Sequence, residues 1–179
     1  MTSVIILADT HLETKLPEQL VEAIRKADMI LHAGDFVSCE AYNSFQDLSQ
    51  LEAVQGNADS AEIKKILPRR RVLEVDDVKI GLVHQASYAP NSVGANMLAR
   101  EMNVQVLVFG HLHRPIVEKK DRFLLCPGSP TRPRMSPPTI AELIIEEGKV
   151  NGKIIPLGAP VCDYLKHAAS LVERRKGER

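Results

Sequence analysis

The chain has 179 residues, 44% hydrophobic and 26% charged, with 23 Lys+Arg set against 23 Asp+Glu. High apolar content at zero net charge excludes an intrinsically disordered chain, and the missing basic excess argues against a dedicated nucleic-acid footprint. No apolar run approaches the roughly 20 residues of a membrane helix, the N-terminus lacks the marks of a signal peptide, and Cys39, Cys126 and Cys162 form no CxxC pair; a cytoplasmic chain with reduced thiols, folded as one domain over 1–179, is expected.

Ser3 to Ala8 is a continuous apolar run rich in β-branched residues, the pattern of a strand buried on both faces. Pro17 to Ala27 then spaces its apolar residues as a helix does, with Pro at the start. Met29 to Ala33 reads as a buried strand, Cys39 to Leu48 as a helix and Leu51 to Gln55 as a short strand. This β-α-β-α-β alternation predicts parallel neighbours. Val72 to Val75 and Lys79 to His84 flank Asp76-Asp77 as a hairpin. Val93 to Met102 reads as a helix and Val104 to Phe109 as another buried strand. From Ile116 onward strands follow without helices: Ile116 to Glu118, Arg122 to Cys126, Thr139 to Ile145 and Lys149 to Leu157, with Gly148 as a turn. The pattern predicts an α/β fold of two packed sheets, one mixed and one mostly antiparallel, with helices outside. Val172 to Arg179 has too few apolar residues to pack and is expected to fray.

The strand ends carry the chemistry. Asp9 and His11 follow the first strand, Gly34-Asp35 the second and Gly56-Asn57 the third; His84 ends the Lys79 strand, and Gly110-His111-Leu112-His113 follows the Val104 strand. Binding crevices of α/β sheets form at the carboxyl ends of strands, so these residues can converge. Two carboxylates, one amide oxygen and four imidazoles are mixed N/O donors that suit Mn²⁺, Fe or Zn²⁺, and seven donors exceed the needs of one tetrahedral ion.

The ordered set Asp9-Thr10-His11, Gly34-Asp35, Gly56-Asn57, His84 and Gly110-His111-Leu112-His113 resembles the calcineurin-like metallophosphoesterase superfamily. More narrowly, it resembles the small single-domain bacterial and archaeal phosphodiesterase branch. The resemblance runs from Ile5 to Thr131, loosely continues through the final strands, and includes Pro127-Gly128-Ser129 against an N-P-G-S element. It implies a four-layer α-β-β-α sandwich of two mixed β-sheets flanked by helices, with a binuclear metal centre at the sheet tops. By that resemblance Asp9, His11 and His113 hold one ion, Asn57, His84 and His111 hold the second, and Asp35 bridges them. A bridging hydroxide would attack phosphorus, with Asn57 stabilising the charge that develops on the phosphoryl oxygens. Two divalent ions are implied, Mn²⁺ first among Ni²⁺, Zn²⁺, Fe and Mg²⁺, with a small phosphorylated substrate and no membrane partner. Monomer and homo-oligomer both stay open. The alternative readings are a phosphomonoesterase and a protein-binding scaffold. The superfamily includes a eukaryotic retromer subunit of this fold with degraded ligands, whereas all seven ligand positions are intact here.

Three positions depart from the branch or its larger relatives. Ala58 stands where larger members carry a His that protonates the leaving oxygen, which favours esters with good leaving groups. Gln85 replaces a common Gly and would narrow the pocket or contact substrate. Cys126 replaces an Asn and would weaken support for a ligand. Of the remaining polar residues, His32 is balanced between packing and support of the site, and Asp59 between a site-rim carboxylate and a helix cap, the cap being favoured. Arg132 and Arg134 follow the Pro127-Gly128-Ser129 turn and could hold a phosphate substituent.

Overall fold

A computed structural model describes residues 1–86 and 92–159. The continuous apolar run at the N-terminus becomes β1 (Thr2–Leu7). Its alternate side chains serve two cores, which explains why no polar residue interrupts it. Val4 and Ile6 point between the sheets, while Ile5 and Leu7 point toward the helices. β2 (Met29–His32) and β3 (Gln50–Ala53) lie parallel to β1, Leu7 pairing with His32 and His32 with Ala53. The crossovers are α1 (Glu18–Ile24) and α2 (Cys39–Gln46). Pro17 stands at the N-cap of α1, and the Ser38 hydroxyl caps α2 by accepting from the Ala41 amide at 3.0 Å.

The short α3 (Ala61–Ile66) has too few residues to show a periodic apolar face, and only the cap favoured at Asp59 pointed to it. Its cap is Ser60, whose hydroxyl accepts from the Ile63 amide. The expectation that Asp59 caps a helix is therefore overturned.

In the second sheet, β4 (Arg70–Val75) and β5 (Val78–Val83) form the expected hairpin. Asp76 and Asp77 both take positive φ (46° and 63°), as a tight primed turn requires. Then come α4 (Val93–Glu101), β6 (Val106–Phe109), β7 (Pro115–Lys119) and β8 (Phe123–Pro127), in the sheet order β4-β5-β6-β8-β7. β9 (Thr139–Glu146) and β10 (Lys149–Pro156) return to the first sheet, whose order is β10-β9-β1-β2-β3. This corrects the expectation of one mostly antiparallel sheet: each sheet has two parallel and two antiparallel pairings. Apolar periodicity marks β9 as a strand, but says nothing about its pairing with β1 across 130 residues of chain.

The result is the four-layer sandwich. Leu20, Ile24, Phe45 and Ile63 cover the outer face of the first sheet, and Ala95, Leu98 and Ala99 that of the second. Val4, Ile6, Leu31, Ile80, Leu82, Val108 and Leu143 meet between the sheets. Parallel registers β1-β2-β3 and β5-β6 bring five carboxyl ends to one edge. No helix among the described residues is long and apolar enough to cross a membrane. The expected frayed tail, His167 and Cys162 lie outside the described residues.

Ile6 is fully buried in the central strand between the sheets. Ile6→Ala should cost about 3 kcal/mol, through lost transfer free energy and an unfilled cavity, measured by urea unfolding. A loss below about 1 kcal/mol would mean that the two sheets are not tightly packed there.

Candidate metal centre

Hydrogen bonds extend the strand pairing into the loops. The Asp9 amide donates to Gly34 O (3.0 Å), the His11 amide to Asp35 O (2.9 Å) and the Gly110 amide to His84 O (2.9 Å). Five of the seven candidate ligands hold strained positive φ: Asp9 (54°), His11 (42°), Asp35 (64°), His111 (71°) and His113 (55°). Such backbone costs roughly 1–3 kcal/mol per residue and persists only where its surroundings over-determine it. Glycine is required where the loops touch. A Cβ on Gly56 would fall 2.1 Å from Asp35 Oδ1, and one on Gly34, itself at φ +88°, 2.7 Å from the Gly56 amide nitrogen.

The structure brings all seven candidates together. Asp9, His11 and His113 offer ligand atoms within 4.8 Å of one another, and so do Asp9, Asp35 and His84. Asp35 Oδ2 lies 3.6 Å from His11 Nε2 and 3.4 Å from His84 Nε2, spanning the two groups. Asn57 Oδ1 stands 2.9 Å from His84 Nε2 and 2.8 Å from His111 Nδ1. The other Asp35 oxygen accepts from the Ala58 amide at 2.7 Å, and both Asp9 oxygens accept from the His111 amide. His11, Asp35, Asn57, His111, His113, Arg132 and Arg134 line a cleft of about 390 Å³.

Protonation tests whether these residues fit a metal. Burial pushes the pKa values of His11, His84 and His113 below the ordinary imidazole range. A carbonyl can only accept, so His84 donates Nδ1–H to Ala33 O (2.8 Å) and His113 donates Nδ1–H to Arg132 O (2.6 Å). Their Nε2 atoms are then bare. His84 Nε2 faces Asn57 Oδ1 and Asp35 Oδ2, and His113 Nε2 faces Asp9 Oδ1 at 3.5 Å. Lone pairs thus point at lone pairs, a set that a cation satisfies and that lacks thiolate. The Cys126 thiol is no donor either, because burial pushes it up to about 12. Burial, reinforced by the Asp35 charge, pushes Asp9 up to about 8. The donor set fits divalent ions.

The supporting residues divide clearly. His32 is fully buried and stacks on Phe36 at 3.6 Å. Its Nδ1 accepts from the Gly34 amide (3.1 Å), so Nε2–H donates to Thr10 Oγ1 (3.1 Å), tying the β1 and β2 loops together. It packs and supports at once. Asp59 binds three loop amides: Gly56 (2.6 Å), Val37 (2.9 Å) and Asp35 (3.2 Å). Arg132 reaches the cleft, whereas Gln85 lines a separate groove beside Asn57 and His84. Sequence reasoning missed Ser129 as an individual residue. Its hydroxyl donates to Asp9 O (2.7 Å) and accepts from the Arg132 amide (2.8 Å), and its place in the Pro127-Gly128-Ser129 turn was the available signal.

At pH 7 Asp9 holds a proton that an incoming cation must displace, while the buried imidazoles are already neutral. Mn²⁺ affinity should therefore climb from pH 6 to 8, by at most about tenfold per unit, with close to one proton released. Calorimetric titration in buffers of different ionisation enthalpy measures both, and zero release at pH 7 would contradict the assignment of Asp9. Separately, Asp59→Ala strands three loop amides and should lower urea-measured stability by about 3 kcal/mol. A loss under about 1 kcal/mol would show that the loops hold without it.

Residues 2–148 match the calcineurin-like phosphoesterase superfamily domain. Over 165 residues the chain is 36% identical to a protein of Methanothermobacter thermautotrophicus named probable metallophosphoesterase, spanning 89% of this chain and 95% of that one. It is 37% identical over 158 residues to another of that name from Methanocaldococcus jannaschii, spanning 85% and 80%. A solved Vps29 from Entamoeba histolytica, complexed with zinc, superposes with a TM-score of 0.70 at 20% identity, covering 87% of this chain and 99% of that one; this likeness shows the fold. By its family match and its curated relatives, the chain belongs to the calcineurin-like phosphoesterase superfamily.

Proposed function

We propose that the chain is a cytoplasmic phosphodiesterase that works with two divalent ions, Mn²⁺ foremost. The carrying observation is the convergence of bare imidazole nitrogens on buried carboxylates, with Asp35 Oδ2 between the two groups. In this reading Asp9, His11 and His113 would hold one ion, Asn57, His84 and His111 would hold the other, and Asp35 would serve both. When bound, the ions supply Lewis acidity toward a phosphoryl oxygen and a water of lowered pKa.

The chain's own residues set the rest. Ala58 fixes one Asp35 oxygen through its backbone amide, which leaves the other oxygen facing the histidines. Asn57 presents an amide at the cleft, the group suited to stabilise charge on a phosphoryl oxygen. Arg132 and Arg134, exposed at the cleft, attract a small anionic substrate. Because Ala58 brings no proton donor next to Asn57, esters with good leaving groups are favoured. Described Cys39 and Cys126 are free thiols, in keeping with a reducing compartment. The fold likeness to Vps29 is compatible with a protein-binding scaffold, and the intact donor set favours catalysis over it.

Metal-stripped protein should regain hydrolysis of bis-p-nitrophenyl phosphate with Mn²⁺, Ni²⁺, Zn²⁺ or Mg²⁺, at a higher kcat/KM than for p-nitrophenyl phosphate. Asp35→Ala should lower kcat at least about a hundredfold. Inactivity with every metal, or full activity of Asp35→Ala, would sink the binuclear reading. Preference for the monoester would overturn the diesterase assignment alone.

A further inference from the structure

Asn57 lines two clefts. Besides the one bordered by Arg132 and Arg134, a groove of about 580 Å³ runs past Asn57 and His84 and is lined by Lys64, Arg69, Arg70 and Gln85. No carboxylate lines it, so three cations face the groove without an acidic wall, in a chain of zero net charge. Lys64 Nζ donates to Asn57 O at 2.7 Å, placing the first cation directly behind a candidate ligand. Arg69 has no ion pair among the described residues. Arg70 pairs with Glu101 at 2.9 Å, but both side chains are more than half exposed. Such a pair contributes about 0–1 kcal/mol and can yield to a phosphate, which a guanidinium grips at two oxygens. Past Arg70 and Gln85 the surface turns apolar over Ala86, Met97 and Leu98.

A phosphodiester held at the metal centre must send its two arms in different directions, and two clefts that share Asn57 can receive them. We propose that the Lys64–Arg69–Arg70 groove is a subsite for a second phosphate, so that the substrate class is a short, nucleotide-sized phosphodiester with a further phosphate on one arm. This rests on the phosphodiesterase reading. The apolar surface beyond Arg70 suits a base or sugar better than a bare polyphosphate. Gln85, where the resembled branch carries Gly, adds an amide donor to the groove wall.

The test uses the full-length, Mn²⁺-loaded chain and a thymidine dinucleotide, with and without a terminal phosphate placed at either end. Each protein serves as its own reference, through the ratio of kcat/KM on the two substrates. The native chain should prefer a phosphorylated dinucleotide by about tenfold, expressed in KM. Arg69→Ala/Arg70→Ala, which changes two exposed side chains, should bring the ratio close to one. Glu101→Gln frees Arg70 and should widen it, and raised salt should narrow it. An equal rate on all dinucleotides by the native chain, or an unchanged ratio in the double variant, would overturn the subsite. If no dinucleotide is cleaved, the rate ratio gives way to binding, and if bis-p-nitrophenyl phosphate is uncleaved as well, the diesterase reading has failed instead. Calorimetric binding of the phosphorylated dinucleotide then decides the groove: about tenfold weaker binding in the double variant supports it, and equal binding refutes it.

Discussion

Asp9 and Asp35 are buried side by side, at 0% and 2% exposure, and no described Lys or Arg lies within ion-pair distance of either. Two like charges removed from water are costly without compensation. Without metal, the chain's answer is a proton on Asp9, whose pKa is pushed up to about 8. A divalent cation meets the same need more completely, because neutral imidazoles already face the carboxylates. The Ala33 and Arg132 carbonyls hold His84 and His113 in the tautomers that leave Nε2 bare. Backbone oxygens remote in sequence thus fix which imidazole nitrogens face the carboxylates.

That arrangement is bought with strain. Positive φ at Asp9, His11, Asp35, His111 and His113 sums to several kcal/mol that the folded core must offset. The loops resist relaxation because each is tied to another. Ser129 joins the Asp9 carbonyl to the Arg132 amide, and the Arg132 carbonyl orients His113, so one bonded path links β1, the segment after β8 and the loop after β6. Asp59 and His32 do the same between the loops after β1, β2 and β3. The rigid sandwich provides the frame; the cross-ties place the ligand atoms.

The strand-end candidates that converge were legible in the sequence because a strand buried on both faces reads as an unbroken apolar run, and the polar residue that ends it stands out. Asp9, Asp35 and His84 were found in that way. The pairing of β9 with β1 was not legible, since alternation of burial identifies a face and not a neighbour. Asp59 was misjudged for a related reason. Before a helix an Asp normally caps, and only the folded loops show that Ser60 takes the cap while Asp59 collects three amides from two loops. Gln85 could be singled out as a departure, but not assigned to the groove beside Arg70 until β4 and β5 were paired.

The three departures from the family pattern fall where assembly of the centre does not depend on them. Position 58 serves the centre through its amide, which donates to Asp35 Oδ1, so replacing a His by Ala removes a proton donor and leaves the geometry intact. Cys126 lies buried in the apolar cluster under α4. Ser129, which the chain shares with the N-P-G-S element, supports the Asp9 loop by donating to the Asp9 carbonyl. Gln85 is close to Asn57 and His84 without entering their hydrogen bonds. Positions 58 and 85 stand beside the residues that line the clefts, and substitution at any of the three leaves the buried carboxylates and their imidazoles in place. Selectivity can therefore diverge within this fold at little cost to the metal centre.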